Sequence, residues 1–435
     1  MMKKTILYAA VVGAISLGLS ADAFATNGYQ LIGIGQYAMG MGGAVVAAPD
    51  DPLSAAMSNP AGMALLRPQA AFSAEIFNPI RKGNFGAGEI GSHSNIYGVP
   101  AIGWVAPAFA KNWVFGGGIY GTSGMGVNYL QNLAPNPSMP MGGYAQGFSS
   151  INFMEMAPTV AWKVNHRLAV GATLNLAAEQ VSFQQTATQY FPTGMSAPYP
   201  TSVPVQGGLN LSSPSWAYGV GLTVGALYRV NNMVTLGATY KSPMIFTPVT
   251  WQAGIQNLGH GVVGGPGQYS AHLNYPQQVA LGIAIRPIPQ WLVSVEGQWI
   301  DWHDTMNTFN IYGPWENGMS DFPLPMHWKN EWVANIGTQY TVNHWLQVRL
   351  GYCHGTNPIG NENISNNVIL PAIMTNAITA GATQKLGMGW KLTEAYMHSF
   401  SVTNTGQPGT GPFGPEAPST TMSENSYGVQ VGYDF

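Results

Sequence analysis

Residues 26–66 read TNGYQLIGIGQYAMGMGGAVVAAPDDPLSAAMSNPAGMALL. The stretch is apolar and rich in glycine, and Pro49, Pro52 and Pro60 interrupt it. It is too irregular to cross a membrane as a helix, which needs about 20 consecutive apolar residues, and too apolar for a solvated linker. Gly40-Met41-Gly42-Gly43 and Asn59-Pro60-Ala61 punctuate it. A compact plug fits this composition, shaped by Gly40, Gly42, Gly43, Asn59, Pro60 and Ala61. The rest of the chain is then expected to be the tube it plugs.

Composition agrees. The chain has 435 residues, 55 of them Gly and 31 Pro, and only 8% are charged. Soluble domains carry about 25% charged residues, and a soluble surface this poor in charge aggregates. No apolar run beyond the extreme N-terminus is long enough for a spanning helix. Low charge without spanning helices points to a transmembrane β-barrel, the other structure that satisfies its backbone in lipid. The net charge of −3 argues against a nucleic-acid partner. Residues 1–25 read as a secretory leader: Lys3 and Lys4 start it, Ile6 to Leu19 form its apolar core, and Ala23-Phe24-Ala25 is a cleavage site. A membrane anchor is the alternative, but the apolar run is short for one. Cys353 is the only cysteine, which excludes an internal disulfide; it is read as a strand residue facing a small space.

Beyond the plug, hydrophobicity alternates with period two. Tyr218, Val220, Leu222, Val224, Ala226 and Tyr228 face one way, and Ala217, Gly219, Gly221, Thr223, Gly225 and Leu227 the other. Val279, Leu281, Ile283 and Ile285 oppose Ala280, Gly282, Ala284 and Arg286; Leu346, Val348, Leu350 and Tyr352 oppose Gln347, Arg349, Gly351 and Cys353. One face is bulky and apolar, the other small or polar, as in a strand with lipid outside and a lumen inside. A soluble sandwich would alternate as well, but not with so few charges. Tight-turn signals stand at Lys111-Asn112, Asn165-His166, Asn231-Asn232, Ile288 to Gln290, Asn343-His344 and Gly387-Met388, giving six hairpins. Strands near 69–80 and 426–435 bring the count to fourteen. Longer connections are expected near 122–150, 186–214, 248–272, 303–330, 354–372 and 403–424. Short turns on one side and long loops on the other fit an outer-membrane barrel of a Gram-negative bacterium. The expected organisation is a leader over 1–25, a hatch over 26–66 and an all-β antiparallel barrel over 67–435. The last strand ends on Phe435, expected to engage the barrel assembly machinery. Trp113, Trp162, Trp291, Trp299, Trp345 and Trp390 lie near strand ends, as interfacial aromatics do.

At these residues the chain resembles the FadL family of outer-membrane long-chain fatty acid transporters, whose relatives import aromatic hydrocarbons. The Gly40–Ala44 run, Asp50-Asp51 and Asn59-Pro60-Ala61 carry the match; Trp328-Lys329, Gly337 to Tyr340, Trp345, Arg349, Gly351-Tyr352 and Tyr396-Met397-His398 extend it into later strands. The resemblance implies a fourteen-stranded barrel closed by the hatch. It implies a kinked third strand that opens the wall, over Gly116–Gly124, with Gly121, Thr122, Ser123 and Gly124 as the lateral gate. Glycines that merely make room in the lumen would give the same run. The resemblance further implies two basic residues for a cargo carboxylate. The corresponding positions fall near Gln185 and Leu324, and neither is basic. Lys329, Arg286 or Lys241 could substitute, with Lys329 as the possible anion partner.

Met125, Val127, Tyr129, Leu130, Leu133, Met139, Met141 and Phe148 make the 122–150 region unusually apolar, and a landing groove for hydrophobic ligand is expected there. The expected function is passive uptake of a hydrophobic small molecule, a fatty acid or a neutral hydrocarbon. The steps would be groove, internal pocket, hatch movement and sideways exit into outer-membrane lipid. No cofactor or metal is expected, and the barrel is expected to act as a monomer. A hydrophilic porin would need a charged lumen. An esterase would need a nucleophile beside a base, and the nine His are scattered. Asp301-Trp302-His303-Asp304 reads as a solvated strand end rather than a metal site. The Gly33-x-Gly35 and Gly40-x-Gly42-Gly43 runs lack the strand and helix of a dinucleotide loop.

Overall fold

The computed structural model describes residues 26–135, 141–193, 202–259, 261–316 and 318–435; the leader, its cleavage after Ala25, and Met139 of the expected groove lie outside the described residues. Fourteen antiparallel strands build a closed barrel. They are β1 (Gln69–Asn84), β2 (Tyr97–Val105), β3 (Trp113–Leu133), β4 (Gly143–Met156, resumed as Thr159–Lys163 past Pro158), β5 (Leu168–Pro192), β6 (Ser202–Arg229) and β7 (Val234–Lys241). They continue as β8 (Gln278–Ile288), β9 (Trp291–Ile300), β10 (Glu331–Thr341), β11 (Leu346–Gly355), β12 (Asn376–Gly387), β13 (Trp390–Ser399) and β14 (Ser419–Asp434). Closure is direct: β14 pairs with β1 from Gln69↔Asp434 to Asn84↔Ser419.

The alternation behaves as expected. On β6, Tyr218, Val220, Leu222, Val224 and Tyr228 are exposed on the outer wall, while Ala217, Thr223 and Leu227 are buried inside. Three short turns share one mechanism. Asn165 Oδ1 accepts from the backbone N–H of Arg167 and Leu168, Asn231 Oδ1 from Met233 and Val234, and Asn343 Oδ1 from Trp345 and Leu346. A short side chain that mimics the backbone closes a hairpin in this way. Trp113 and Trp162 stack on the outer wall at 5.4 Å, beside the Lys111-Asn112 and Asn165-His166 turns.

The long connections are shorter than expected in two places. Residues 122–133 and 143–150 are not loop but strand, paired from Gly124↔Asn152 to Leu133↔Gly143. Likewise β5 runs to Pro192 and β6 starts at Ser202. Outside the bilayer a hairpin keeps its backbone pairing without needing lipid-facing side chains, so its Gly, Asn and Gln content imitates a loop. The connections over 242–277 and 301–330 carry Val249–Ala253, Gly267–Ala271, Thr308–Tyr312 and Asp321–Pro325, which form a separate four-stranded sheet at the long-loop end of the barrel.

Residues 26–66 lie inside the tube and are almost wholly buried. Two prolines start helical turns rather than merely breaking the chain. Asp51 caps α1 (Pro52–Met57), its Oδ1 accepting from Ser54 N at 2.8 Å. Asn59 caps a 3-10 turn (Pro60–Leu65), its Oδ1 accepting from Ala61 N at 3.1 Å. Gly42 and Gly43 take left-handed φ values of 62° and 82°, where a side chain would be strained. The segment grips the wall on several sides. Gln36 N donates to Gln430 Oε1 at 2.9 Å and Gln36 Nε2 to Ser73 Oγ at 3.0 Å. Val45 N and Val46 N donate to Glu296 Oε2 at 3.0 and 2.9 Å. Arg349 lies 4.7 Å over the Tyr37 ring.

Candidate functional site

Three features adjoin one another: a cavity, an aromatic partition and an opened seam. The cavity, about 610 Å³, lies between the barrel wall and the long connections. Val181, Phe183 and Gln185 of β5 and Leu209 of β6 form one side. Met306, Phe309, Phe322, Leu324 and Met326 form the second, and Ile369, Leu370 and Phe413 the third. Among the described residues, no Asp, Glu, Lys, Arg or His lines it. Its polar groups are neutral amides and hydroxyls such as Gln185, Gln189, Asn257 and Ser149. The two positions at which the resemblance calls for a cation, Gln185 and Leu324, are both in this wall.

The expected groove is corrected in part. Met125, Val127, Tyr129 and Leu133 point inward and are buried, Tyr129 against Phe85 at 5.7 Å. Met125, Val127 and Tyr129 pack in the same apolar core as the cavity wall, and none of the four lines the cavity. Leu130 and Met141 are exposed, and Phe148, three residues before the inward Ile151, does not line the cavity. Strand periodicity sends neighbours to opposite faces, so a run of apolar residues on one extended hairpin cannot form one surface. Lys329 is not in the cavity either. Its Nζ pairs with Glu362 at 3.1 Å, both side chains exposed. The backbone of Glu362 and then Lys329 hold that carboxyl below the usual glutamate range. Lys241 pairs with Glu155 at 2.8 Å, and neither it nor Arg286 lines the cavity.

Beside the cavity is a partition of fully buried rings. Tyr29 of the hatch stands 4.4 Å from Trp302, 5.6 Å from Phe153 and 6.0 Å from both Tyr275 and Trp328. Trp302 opens α2 (Trp302–Met306), whose last residue lines the cavity. Trp328 Nε1 is held by Asn367 Oδ1 at 2.7 Å. The Asp301–Asp304 cluster thus contributes a buried indole, a role its polar neighbours conceal.

The seam lies past the partition. β2 bonds β3 only from Val105↔Gly116 to Ala101↔Tyr120. Beyond Tyr120 the strands part, although β2 stays paired with β1 as far as Tyr97 and β3 with β4 as far as Leu133. Two local causes are visible. Pro100, next on β2, has no N–H to donate. β3 also bulges between Gly121 and Ser123, and a bulge bends its strand. The freed edge of β3 bonds to the hatch instead: Leu31 N donates to Thr122 O and Gly124 N to Tyr29 O, each at 3.1 Å. Ser123 Oγ and Tyr275 OH are 2.7 Å apart, and Tyr275 OH donates to Gln30 Oε1 at 2.9 Å. Further along, Arg81 donates to the carbonyls of Gly126 and Ser94, and His93 N donates to Asn128 O at 2.8 Å. Gly121, Thr122, Ser123 and Gly124, the stretch expected as a gate, therefore lie on the edge of β3 where β2 parts from it, and Tyr29 belongs to both partition and seam. Nothing in the sequence marks Tyr29, Tyr275, Trp302 or Trp328 as one cluster.

Asn59 does more than cap. Its Nδ2 donates to Val46 O at 2.7 Å and to Ala226 O at 3.1 Å, joining two hatch turns to β6. A Cβ on Gly225 would stand 2.2 Å from Asn59 Oδ1, so the wall needs glycine there for the hatch to seat. Replacing Asn59 with alanine should loosen the hatch by about 2 kcal/mol, from a lost cap and stranded carbonyls. The expected outcome is a barrel that still shows heat-modifiable gel mobility but has raised and noisier single-channel conductance; conductance equal to wild type would count against this anchoring.

The family model described as outer membrane protein transport protein (OMPP1/FadL/TodX) matches residues 12–435. No curated relative matches. Among solved structures, the chain is similar to a Pseudomonas aeruginosa FadL homologue at 16% identity and TM-score 0.68, covering 95% of this chain and all of that one. It is similar to the P. putida toluene transporter TodX at 18% identity and TM-score 0.70, covering 93% and 99%. The Ralstonia pickettii toluene transporter TbuX is similar at 19% identity and TM-score 0.64, again covering 93% and 99%. At these identities the structures speak for the fold, and the family model reaches across nearly the whole chain. The chain belongs to the OMPP1/FadL/TodX family of outer membrane transport proteins.

Proposed function

We propose that the protein admits neutral hydrophobic molecules to the outer membrane, with the cavity as binding pocket and the β2–β3 seam as exit. The observation that carries this reading is a cavity lined, among the described residues, by no ionisable side chain, in which Gln185 and Leu324 stand where a cargo carboxylate would need cations. Burying a carboxylate there costs several kcal/mol, whereas each buried methylene of a neutral cargo contributes about 0.8 kcal/mol. The volume falls in the usual range for small-molecule pockets. The similar folds of the toluene transporters TodX and TbuX support the same substrate class.

Passage is passive, with no energy-coupling step. Cargo in the cavity presses on Met306 and the partition. Displacing the Tyr29 ring withdraws the carbonyl that holds Gly124, and the hatch edge peels from β3. Cargo then leaves sideways into lipid without crossing water. One chain supplies cavity, partition and seam, so a monomer suffices. A leader over residues 1–25, cleaved after Ala25, delivers the chain, and Phe435, exposed past β14, is the residue we assign to the barrel assembly machinery. The family is one of transport proteins, which sets the esterase reading aside.

The test is uptake by cells that lack other such channels, comparing a labelled neutral hydrocarbon with the carboxylate of the same carbon skeleton. A preference of at least about tenfold for the neutral compound is expected from the burial cost of the charge. Equal uptake, or a fatty acid retained on purification in mild detergent, would overturn the neutral-cargo assignment.

A further inference from the structure

Two buried carboxylates face the first residues of the hatch. Glu331 of β10 and Glu424 of β14 are both fully buried. Each has one satisfied oxygen: Trp302 Nε1 donates to Glu331 Oε2 at 3.0 Å, and Thr26 Oγ1 donates to Glu424 Oε1 at 3.2 Å. Glu331 Oε1 and Glu424 Oε2 have no hydrogen-bond partner among the described residues. Asn27 Oδ1 borders the same space, since a Cβ on Gly355 would stand 2.5 Å from Glu331 Oε1 and 3.2 Å from Asn27 Oδ1. Arg81, opposite Met422 in the β1–β14 register, directs its terminal nitrogens to the carbonyls of Gly126 and Ser94. Acceptor oxygens thus border both Thr26 and Asn27 at the start of the hatch, and a buried carboxylate oxygen with no cation hydrogen-bonded to it is costly. What fits is a compact cation with several N–H donors.

The chain can supply that cation itself. We infer that Glu424 and Glu331 form a cradle for the α-ammonium of Thr26, created when the leader is removed. The inference rests on the cleavage after Ala25 given above. Hydrolysis of the Ala25–Thr26 peptide bond by a leader-removing protease adds water: the carbonyl of Ala25 takes the hydroxyl and becomes a carboxylate, and the nitrogen of Thr26 becomes an amine. An α-amine titrates near about 8 and so carries a proton at neutral pH. That nitrogen lies a few covalent bonds from the hydroxyl already on Glu424. Docking it fixes the segment whose Tyr29 and Leu31 hold the free edge of β3. The seam therefore closes fully only in the processed chain, and an N-terminal extension leaves it loosely latched.

The test uses the full-length protein extracted from outer membranes. Intact mass first locates the N-terminus. Amine labelling by reductive dimethylation is then followed at the N-terminal peptide and at exposed Lys82 and Lys329. The Thr26 α-amine is expected to react at least about tenfold more slowly than the lysines, which corresponds to about 1.4 kcal/mol of protection. Glu424→Gln or Glu331→Gln should remove that protection while heat-modifiable mobility is kept. A wild-type amine labelled as fast as the lysines, or protection unchanged in both variants, overturns the cradle. A mature terminus other than Thr26 overturns it by removing the cleavage it rests on. Should the variants not reach the membrane, an experimental structure of the wild-type mature protein decides: a Thr26 nitrogen within about 3 Å of either carboxylate supports the cradle, and one facing solvent overturns it.

Discussion

Uptake of a neutral hydrocarbon is expected to collapse when tryptophan replaces Gly121 or Gly124, with the barrel still folded. Neither glycine has a left-handed φ, so a side chain can be carried there without backbone strain. A Cβ on Gly121 would first meet Val99 Cγ1 at 3.2 Å, across the seam, and one on Gly124 would first meet Ile151 O at 3.4 Å. An indole built from Gly121 enters the space between β2 and β3, and one built from Gly124 stands on the β3 edge of that space. Displacing it costs on the order of 2 kcal/mol of buried apolar contact, or about thirtyfold in rate. The control is tryptophan at Gly297, on the outer wall of β9, where an added Cβ meets nothing within 4 Å. That variant should transport normally. Normal uptake by both seam variants would place the exit elsewhere, along the lumen past the hatch.

The second large effect is a change of cargo. Lysine in place of Leu324 puts an ammonium into a wall that has no ionisable group among the described residues. Neutral cargo then shares its pocket with a poorly solvated charge, and its binding should weaken. A carboxylate gains a partner, and close charge pairs contribute about 2–5 kcal/mol when desolvated. Affinity for a long-chain carboxylate should rise at least about tenfold, measured by equilibrium binding in detergent. Gln185→Lys should act in the same direction from the opposite wall. If neither variant gains carboxylate binding, the cavity is not the pocket that discriminates cargo.

Much of the barrel was legible because lipid imposes a period-two rule on every spanning strand. Tyr218 to Tyr228 states it plainly, and Asn165, Asn231 and Asn343 mark the turns. The hatch was legible from its composition, and the seam from the glycine run of β3 taken with the resemblance. The cavity was not. Phe183, Phe309, Phe322, Ile369 and Phe413 belong to different strands and connections, and only the register brings them together. The 122–150 region misled for a related reason. Beyond the bilayer the strand ends escape the lipid rule, so Leu130 outside and Val127 inside look alike in composition. Lys329 drew attention as a conspicuous cation, yet Glu362, far along the chain, already holds it.

The grip of the hatch on the wall also bears on how the tube shuts. Gln36 bonds at once to Ser73 on β1 and to Gln430 on β14, and Asp51 Oδ2 accepts from Gln430 Nε2 at 2.7 Å. Ser73 and Gln430 are direct partners in the β1–β14 register, the pairing that joins the first strand to the last. One hatch residue, through its backbone N–H on one side and its side chain on the other, therefore splints the two lips of the closing joint. A slip of two residues would keep the inward and outward faces correct, and the alternation alone would not resist it. It would, however, carry Ser73 away from Gln430 and break both bonds of Gln36. The plug that blocks the finished pore thus also acts as the gauge that sets its circumference.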